Sequence, residues 1–410
     1  MLVSIQTKNF RMLANNRVEL RNFHVLVGQN ATGKSTFLGA LQFVADVLRK
    51  GVAKTVDDLG ATFYELCFDR EQPFDIAVEM KLGSIENGGA RLRYEIRVGI
   101  DDDLRVQREN LFIIPNGGAQ LGSSQLSLWE GSDGEHPPAI QDKTPKGWRR
   151  VVQKTSEGID YFRDEKTDWN NQFRFGPDRP ALGSLPEDPQ RFPLSIAARN
   201  LLRDGVRTLA LDPRELRTPS APGAATRMAM DGSNLPHVVR DLAKRDPVLH
   251  RRWVEHLATG VPGLVDVSVH ERPEDRKLVL EASFAGLHER PVPSWLLSDG
   301  TLRLMALTLL SYAARSDARE VYLVEEPENG LHPLAIQTAF DALAAPGDGV
   351  QVLCATHSPI FLAQVLLDQA LVFRRSPQGF AIVRHGTEVP ELKEWQGKNL
   401  TDLFVTGVLS

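Results

Sequence analysis

Residues 28–36 read GQNATGKST, directly after the apolar run FHVLVG and directly before KSTFLGALQFVADVLRK. Gly28, Gln29, Asn30, Ala31, Thr32, Gly33, Lys34 and Ser35 satisfy G-x-x-x-x-G-K-S in full, with a strand signal before and a helix signal after. That context dictates a turn tight enough to wrap phosphate oxygens. Gly28 and Gly33 let the backbone bend, and consecutive N–H groups at a helix start face the anion. Lys34 reaches the terminal phosphates, the Ser35 hydroxyl suits magnesium, and Thr36 suits the inner phosphate. The following helix is expected over Lys34–Lys50, from the recurrence of Phe37, Leu38, Leu41, Val44 and Leu48, with Gly51 as its stop.

Two further strand ends carry polar residues. YLVEEPENGLHP is an apolar strand closing on Glu325 and Glu326. If the strand runs on, these two carboxylates point to opposite sides, one toward a magnesium shell and the other toward an attacking water. This is the division of labour that phosphoryl transfer needs. VLCATHSP ends on Thr356, His357 and Ser358, at the carboxyl end where open α/β sheets hold ligands. His357 is expected near the terminal phosphate, as a hydrogen-bonding partner rather than the main base. A second grip stands at LLSDGTLRL: Ser298 caps a long helix, Gly300 permits close backbone approach, and the helix start offers N–H groups. One loop already holds one set of phosphates. The second grip is therefore either a cap alone or a closure over a nucleotide held by another copy of the chain.

With 410 residues and 42% hydrophobic content, the chain can bury more than one lobe. Two cysteines exclude a disulfide scaffold, and Cys354 in its apolar run reads as buried and inert. No long apolar segment or cleavage signature opens the chain, which predicts a cytoplasmic protein with no membrane partner. A net charge of -5 gives no chain-wide positive field, so DNA could be met only by local clusters such as Arg149, Arg150, Arg251 and Arg252. Residues 74–80 and 90–100 read as a hairpin joined through SIENGG, and the alternation in RLRYEIRV predicts one solvated face. Residues 115–190 are turn-rich, either a long loop region or an inserted subdomain. The helix beginning at Leu235 is expected to take Ser233 or Asn234 as its cap. Helices and apolar strands alternate over the last 120 residues, which indicates an α/β layer with covered faces.

Together GQNATGKS, LLSDGTLRL, YLVEEPENGLHP and ATHSP resemble the ABC-type ATPases of the SMC, OLD and recombination-repair group. The likeness is nearest to its AAA15 (AAA-21-like) members without a toprim nuclease domain, and it covers the first 50 residues and roughly 290–375. The resemblance implies an α/β ABC-type head, a P-loop NTPase with mixed sheets flanked by helices and an inserted or helical subdomain. The expected division is an N-terminal lobe over 1–110, an inserted region over 111–290 and a C-terminal lobe over 291–410. It further implies Walker A at Gly28–Thr36, a signature at Ser298, Asp299 and Gly300 acting in trans, Glu325 on magnesium, Glu326 as catalytic base and His357 as switch histidine. The implied cofactors are ATP and Mg2+. The implied behaviour is an ATP-dependent homodimer with slow hydrolysis, tied to DNA repair or defence against phage, with DNA and a separately encoded effector or nuclease as candidate partners. An ATP-driven switch or scaffold with negligible turnover is the alternative.

Three departures stand out. Glu325 replaces the aspartate of many relatives, LSDG replaces the transporter form LSGGQ, and no long coiled coil is present. About 50 residues follow THSP, too few for a toprim domain. The coupling glutamine is not assigned, with Gln72 and Gln107 as the named candidates. A transporter reading lacks a suitable helical subdomain, and a kinase reading leaves Ser298–Gly300 without a role.

Overall fold

A computed structural model describes residues 1–83, 89–115, 138–286, 290–315 and 319–393. Most of the SIENGG connection, the segments NGGAQLGSSQ and EGSDGEHP, and the end of the chain lie outside the described residues. The chain divides into two compact units, one made of residues 1–21, 30–206 and 373–384, the other of residues 22–29, 207–372 and the segment from His385.

The chain begins with β1 (Leu2–Phe10), β2 (Leu13–Glu19) and β3 (Phe23–Val27), then α1 (Lys34–Lys50) and α2 (Val52–Asp58). Six strands follow: β4 (Phe74–Leu82), β5 (Ala90–Ile100), β6 (Leu104–Ile114), β7 (Arg149–Lys154), β8 (Asp160–Arg163) and β9 (Asn170–Phe173), with α3 at Pro193–Asn200. In the first unit, eight strands form one antiparallel sheet in the order β2-β1-β4-β5-β6-β7-β8-β9. Where described, the turn-rich stretch thus continues this sheet through β7, β8 and β9. α1 packs its apolar stripe inside the same unit, with Phe43 5.6 Å from Phe10 and 5.3 Å from Phe74 between ring centroids. The helix ends as its sequence dictates, at Gly51 with φ 87°.

The alternation in β5 does not leave a wet face. Arg93 and Glu95 are both fully buried. Arg93 donates to Glu95 Oε1 at 2.6 Å, Glu79 Oε1 at 3.1 Å, Gln6 Oε1 at 3.0 Å and the Ala139 carbonyl at 2.9 Å. A guanidinium satisfied on so many sides can be covered, and the segment around Ala139 does so.

The second unit contains β10 (Val206–Leu209), α4 (Pro213–Arg217), α5 (Leu235–Arg245), α6 (Pro247–Gly260), β11 (Leu264–Glu271), β12 (Leu278–Phe284) and β13 (Val292–Pro293). It continues through α7 (Asp299–Tyr312), β14 (Glu320–Glu325), α8 (Pro333–Ala344), β15 (Val350–Ala355), α9 (Pro359–Leu362) and β16 (Ala370–Arg375). β17 (Ala381–His385) and α10 (Pro390–Lys393) come last, and most of β17 belongs to the first unit. β3, β14, β15 and β16 are mutually parallel in the order β14-β15-β3-β16, with β10 beside β14. β11, β12 and β13 form a separate antiparallel sheet. α7 buries Leu302, Leu304, Met305, Leu307, Leu309 and Leu310 around its whole circumference, so it is an internal helix rather than an amphipathic cover. Trp253 of α6 packs against it and donates its indole N–H to Thr308 Oγ1 at 2.9 Å.

α5 starts at Leu235 with Asn234 in the cap position, but the Asn234 side chain does not cap it. Instead it donates to the carbonyls of Ala225 and Arg227 and accepts from the Ala229 N–H, pinning the loop before the helix.

Candidate active site

The register of the parallel strands assembles one edge. Glu325 pairs with Ala355 across β14 and β15, and Ala355 pairs with Leu26 across β15 and β3. Parallel strands in that register end together. Within the second unit, Gly28, the Glu325–Glu326 pair and Thr356–His357 therefore emerge at the same carboxyl edge, the ligand side of such sheets.

The loop after β3 is built from special backbone conformations. Ala31 has φ 59° and Gly33 has φ 104°. Gly33 is the residue before α1 and brings no side-chain cap to the helix start. Within the first unit a Cβ on Gly33 would lie 2.9 Å from Ala381 Cβ and 3.3 Å from Met12 Cγ, so both the φ and the space exclude a side chain. Thr32 and Lys34 are buried, Asn30, Ala31 and Ser35 are exposed, and Thr36 lies between.

β14 stops at Glu325, so the strand alternation expected for the two glutamates does not apply. Glu326 takes φ 48°, a left-handed conformation that costs a residue with a Cβ about 1–2 kcal/mol. Its N–H donates to the Ala355 carbonyl at 2.7 Å, so the turn stays fixed to β15. Its carbonyl accepts from the Asn329 N–H at 3.0 Å and from Arg303 Nη2 at 3.4 Å. Its carboxylate oxygen Oε2 accepts a short hydrogen bond from Asn329 Nδ2. Both Glu325 and Glu326 are exposed.

Beneath this turn, Glu328 ties the acidic segment to the end of β15. Its Oε1 accepts from Thr356 Oγ1 at 2.6 Å and from the Ser358 N–H at 3.1 Å. These are the two neighbours of His357, which is half-buried. Burial holds the Arg303 guanidinium below its usual pKa, against the opposing charges of Glu328 and Glu326. Cys354 in β15 is fully buried and burial pushes its thiol far up, so the inert reading of that residue is met.

Ser298 caps α7, its Oγ accepting from the Thr301 N–H at 3.1 Å. Asp299 is held by Arg217. At Gly300 the close backbone approach is intramolecular: a Cβ there would lie 2.6 Å from the Gly330 carbonyl oxygen, in the loop after Glu326. Gly300 is thus packed against the same acidic loop within the second unit.

Arg303 and Arg217 escaped the sequence reading. A half-buried helical arginine carries no motif, and the partners of these two, Glu326 and Asp299, lie tens of positions away in sequence. Of the basic residues named for DNA, Arg149 donates to Asp168 and to the carbonyls of Glu165 and Asp164. Arg150 lies over the Phe112 ring at 5.2 Å and donates to the Asp142 carbonyl. Both serve the first unit's own loops, while Arg251 and Arg252 are exposed on α6. Gln107 donates to Asp101 in the hairpin between β5 and β6. Gln72 sits in a loop that Asn9 locks, with φ 61° and donation to the carbonyls of Asp69, Gln72 and Pro73. Among the described residues no three His, Cys, Asp or Glu side chains cluster to hold a metal, and no helix is long and apolar enough to cross a membrane.

Comparison with known proteins agrees with this architecture. Residues 1–168 match the family described as "AAA ATPase domain", AAA_15. Residues 248–363 match the family described as "AAA domain, putative AbiEii toxin, Type IV TA system", AAA_21. No curated protein matches the sequence. Among solved structures, an SMC head bound to the C-winged helix domain of ScpA aligns with TM-score 0.52 and 14% identity, covering 93% of this chain and 97% of that one. A Pyrococcus furiosus Smc head with an extended coiled coil, bound to the C-terminal domain of ScpA, aligns with TM-score 0.48 and 13% identity over 96% of this chain and 98% of that one. The Thermotoga maritima SMC head aligns with TM-score 0.43 and 10% identity over 94% and 98%. At such identities the first of these alignments speaks for the fold alone, that of an SMC head, and the two family models match separate parts of the chain, the first holding the loop Gly28–Thr36 and the second the strand ends at Glu325 and Thr356.

Proposed function

We propose that the protein hydrolyses ATP at the edge formed by Gly28, Glu325–Glu326 and Thr356–His357, and that two copies close head-to-tail around two nucleotides. The loop Gly28–Thr36 grips the phosphates, with Lys34 on the terminal ones. Ser35 and Glu325 each give an oxygen to Mg2+, a sparse set that suits an ion otherwise held by phosphate oxygens and waters. Glu326 orients and deprotonates the attacking water, and His357 hydrogen-bonds the terminal phosphate. Ser298, Asp299 and Gly300 meet the nucleotide of the other copy.

The observation that carries this reading is the left-handed Glu326, fixed to β15 at a carboxyl edge where three strand ends align. Strain of that kind persists where the surroundings impose it, and it clusters at reacting sites. The test is phosphate release together with light scattering. Glu326→Gln should lower turnover at least a hundredfold and accumulate an ATP-bound dimer, whereas Lys34→Ala should neither bind ATP nor dimerise. Unchanged turnover in Glu326→Gln would remove Glu326 from the base role.

One observation favours a second reading, a switch with negligible turnover: Asn329 Nδ2 already holds the Glu326 carboxylate. If that bond idles the base, Asn329→Ala should accelerate phosphate release. We assign the setting, DNA repair or anti-phage defence with a separately encoded effector, on the resemblance to the group.

A further inference from the structure

The turn around Ser298 contains a charge that opposes the role proposed for it. Asp299 is the first residue of α7. A carboxylate there favours the helix start, yet it would repel a phosphate brought to the same N–H groups. Arg217, the last residue of α4, addresses this charge directly. Its Nε and Nη2 donate to Asp299 Oδ1 at 2.9 Å and 2.6 Å, and its Nη1 donates to the Trp295 carbonyl at 3.0 Å. Its own carbonyl accepts from Ser294 Oγ at 2.9 Å, and Ser294 is buried. One residue therefore holds the chain on both sides of Ser298. The Arg217 and Asp299 side chains are 31% and 58% exposed. An ion pair that open contributes little to folding, so stability alone gives it little purpose.

We infer that Arg217 is a positioning residue for the Ser298 turn: it cancels the Asp299 charge and fixes the turn from Trp295 to Asp299, so that a second copy's nucleotide can bring its terminal phosphate to Ser298. The inference rests on the head-to-tail reading above and names what makes the second grip compatible with an anion. Lysine at this position would keep the charge but could not serve the Trp295 carbonyl and the Asp299 carboxylate with one fixed fork.

The experiment uses the full chain. ATP-dependent self-association is measured by light scattering in the Glu326→Gln background, and kcat and KM are measured in the otherwise unchanged enzyme. Arg217→Gln should weaken self-association at least tenfold and lower kcat at least tenfold, with nucleotide affinity at dilute, monomeric concentration unchanged and the melting temperature little altered. Asp299→Asn added to Arg217→Gln should restore most of the lost association, because no charge remains to cancel. Raising the salt should narrow the gap between Arg217→Gln and the parent, since screening weakens the exposed repulsion. Arg217→Lys should fall between the parent and Arg217→Gln. Association within twofold of the parent in Arg217→Gln overturns the inference, and so does a loss that neither Asp299→Asn nor salt relieves. If Glu326→Gln alone fails to associate with ATP, the head-to-tail reading falls and takes this inference with it. If it associates and Arg217→Gln changes nothing, only the inference falls.

Discussion

Single residues in this protein are constrained by conformations that their chemistry would not choose. Gly33 is the plainest case, because φ 104° and the neighbouring Ala381 and Met12 leave no room for a Cβ. Gly33→Ala should cost about 1–2 kcal/mol of stability and weaken ATP binding at least tenfold, which isothermal titration would read. Near-parent affinity in that variant would mean that the loop geometry is not what grips the nucleotide. Glu326 sits at φ 48° although it carries a side chain, and nothing in the string EEPE announces this. The sequence marks the glycines of the loop because a motif fixes their spacing. It does not mark Glu326 as left-handed, since that conformation is imposed by the bond from its N–H to Ala355, which lies on another strand.

At the scale of elements, α7 connects the capped turn at Ser298 to the acidic loop after β14. Gly300 packs its Cα against the Gly330 carbonyl, and Arg303 one turn later reaches the Glu326 carbonyl. Gly300→Ala should force the helix start away from that loop at a cost of about 1–3 kcal/mol, lowering the urea midpoint and the rate of phosphate release together. An unchanged midpoint would show that the loop yields freely. The helices expected at Lys34, Leu235 and Asp299 and the strands before Gly28, Glu326 and Thr356 were all legible, because each is an apolar stripe or run bounded by a capping or turn residue. The solvated face expected for β5 was not found, since period 2 reports alternation and not which side is covered. The buried set Arg93–Glu95–Glu79 shows that a charged face can turn inward when its partners come from β1, β4 and the segment at Ala139.

For the molecule as a whole, buried ionisable groups set how stability responds to pH. Glu109 of β6 is fully buried, accepting from the N–H groups of Ala181 and Leu182 and from the Tyr94 hydroxyl. Burial raises its pKa from 4.5 to about 7, against the lowering effect of those bonds and of Lys154. Between these two values the folded state holds the proton and the unfolded state does not. Stability from this group is therefore fullest below pH 4.5 and falls as pH rises to about 7. The change is on the order of 3 kcal/mol. Subtracting the Glu109→Gln profile from that of the parent isolates it, and denaturant unfolding across this range should show the difference growing in favour of Glu109→Gln as pH rises. A flat difference would mean that the carboxyl is ionised throughout.

The sequence by itself determined the phosphate loop, the order of helices and apolar strands, and the polar residues at three strand ends, because each depends on neighbours within a few positions along the chain. Only the tertiary structure decided that the ends of β3, β14 and β15 meet at one edge, that Glu326 turns left-handed, and that Arg217 answers the charge of Asp299. Those outcomes depend on strand register and on hydrogen bonds between residues tens to hundreds of positions apart, and no local pattern encodes a partner that only folding brings near.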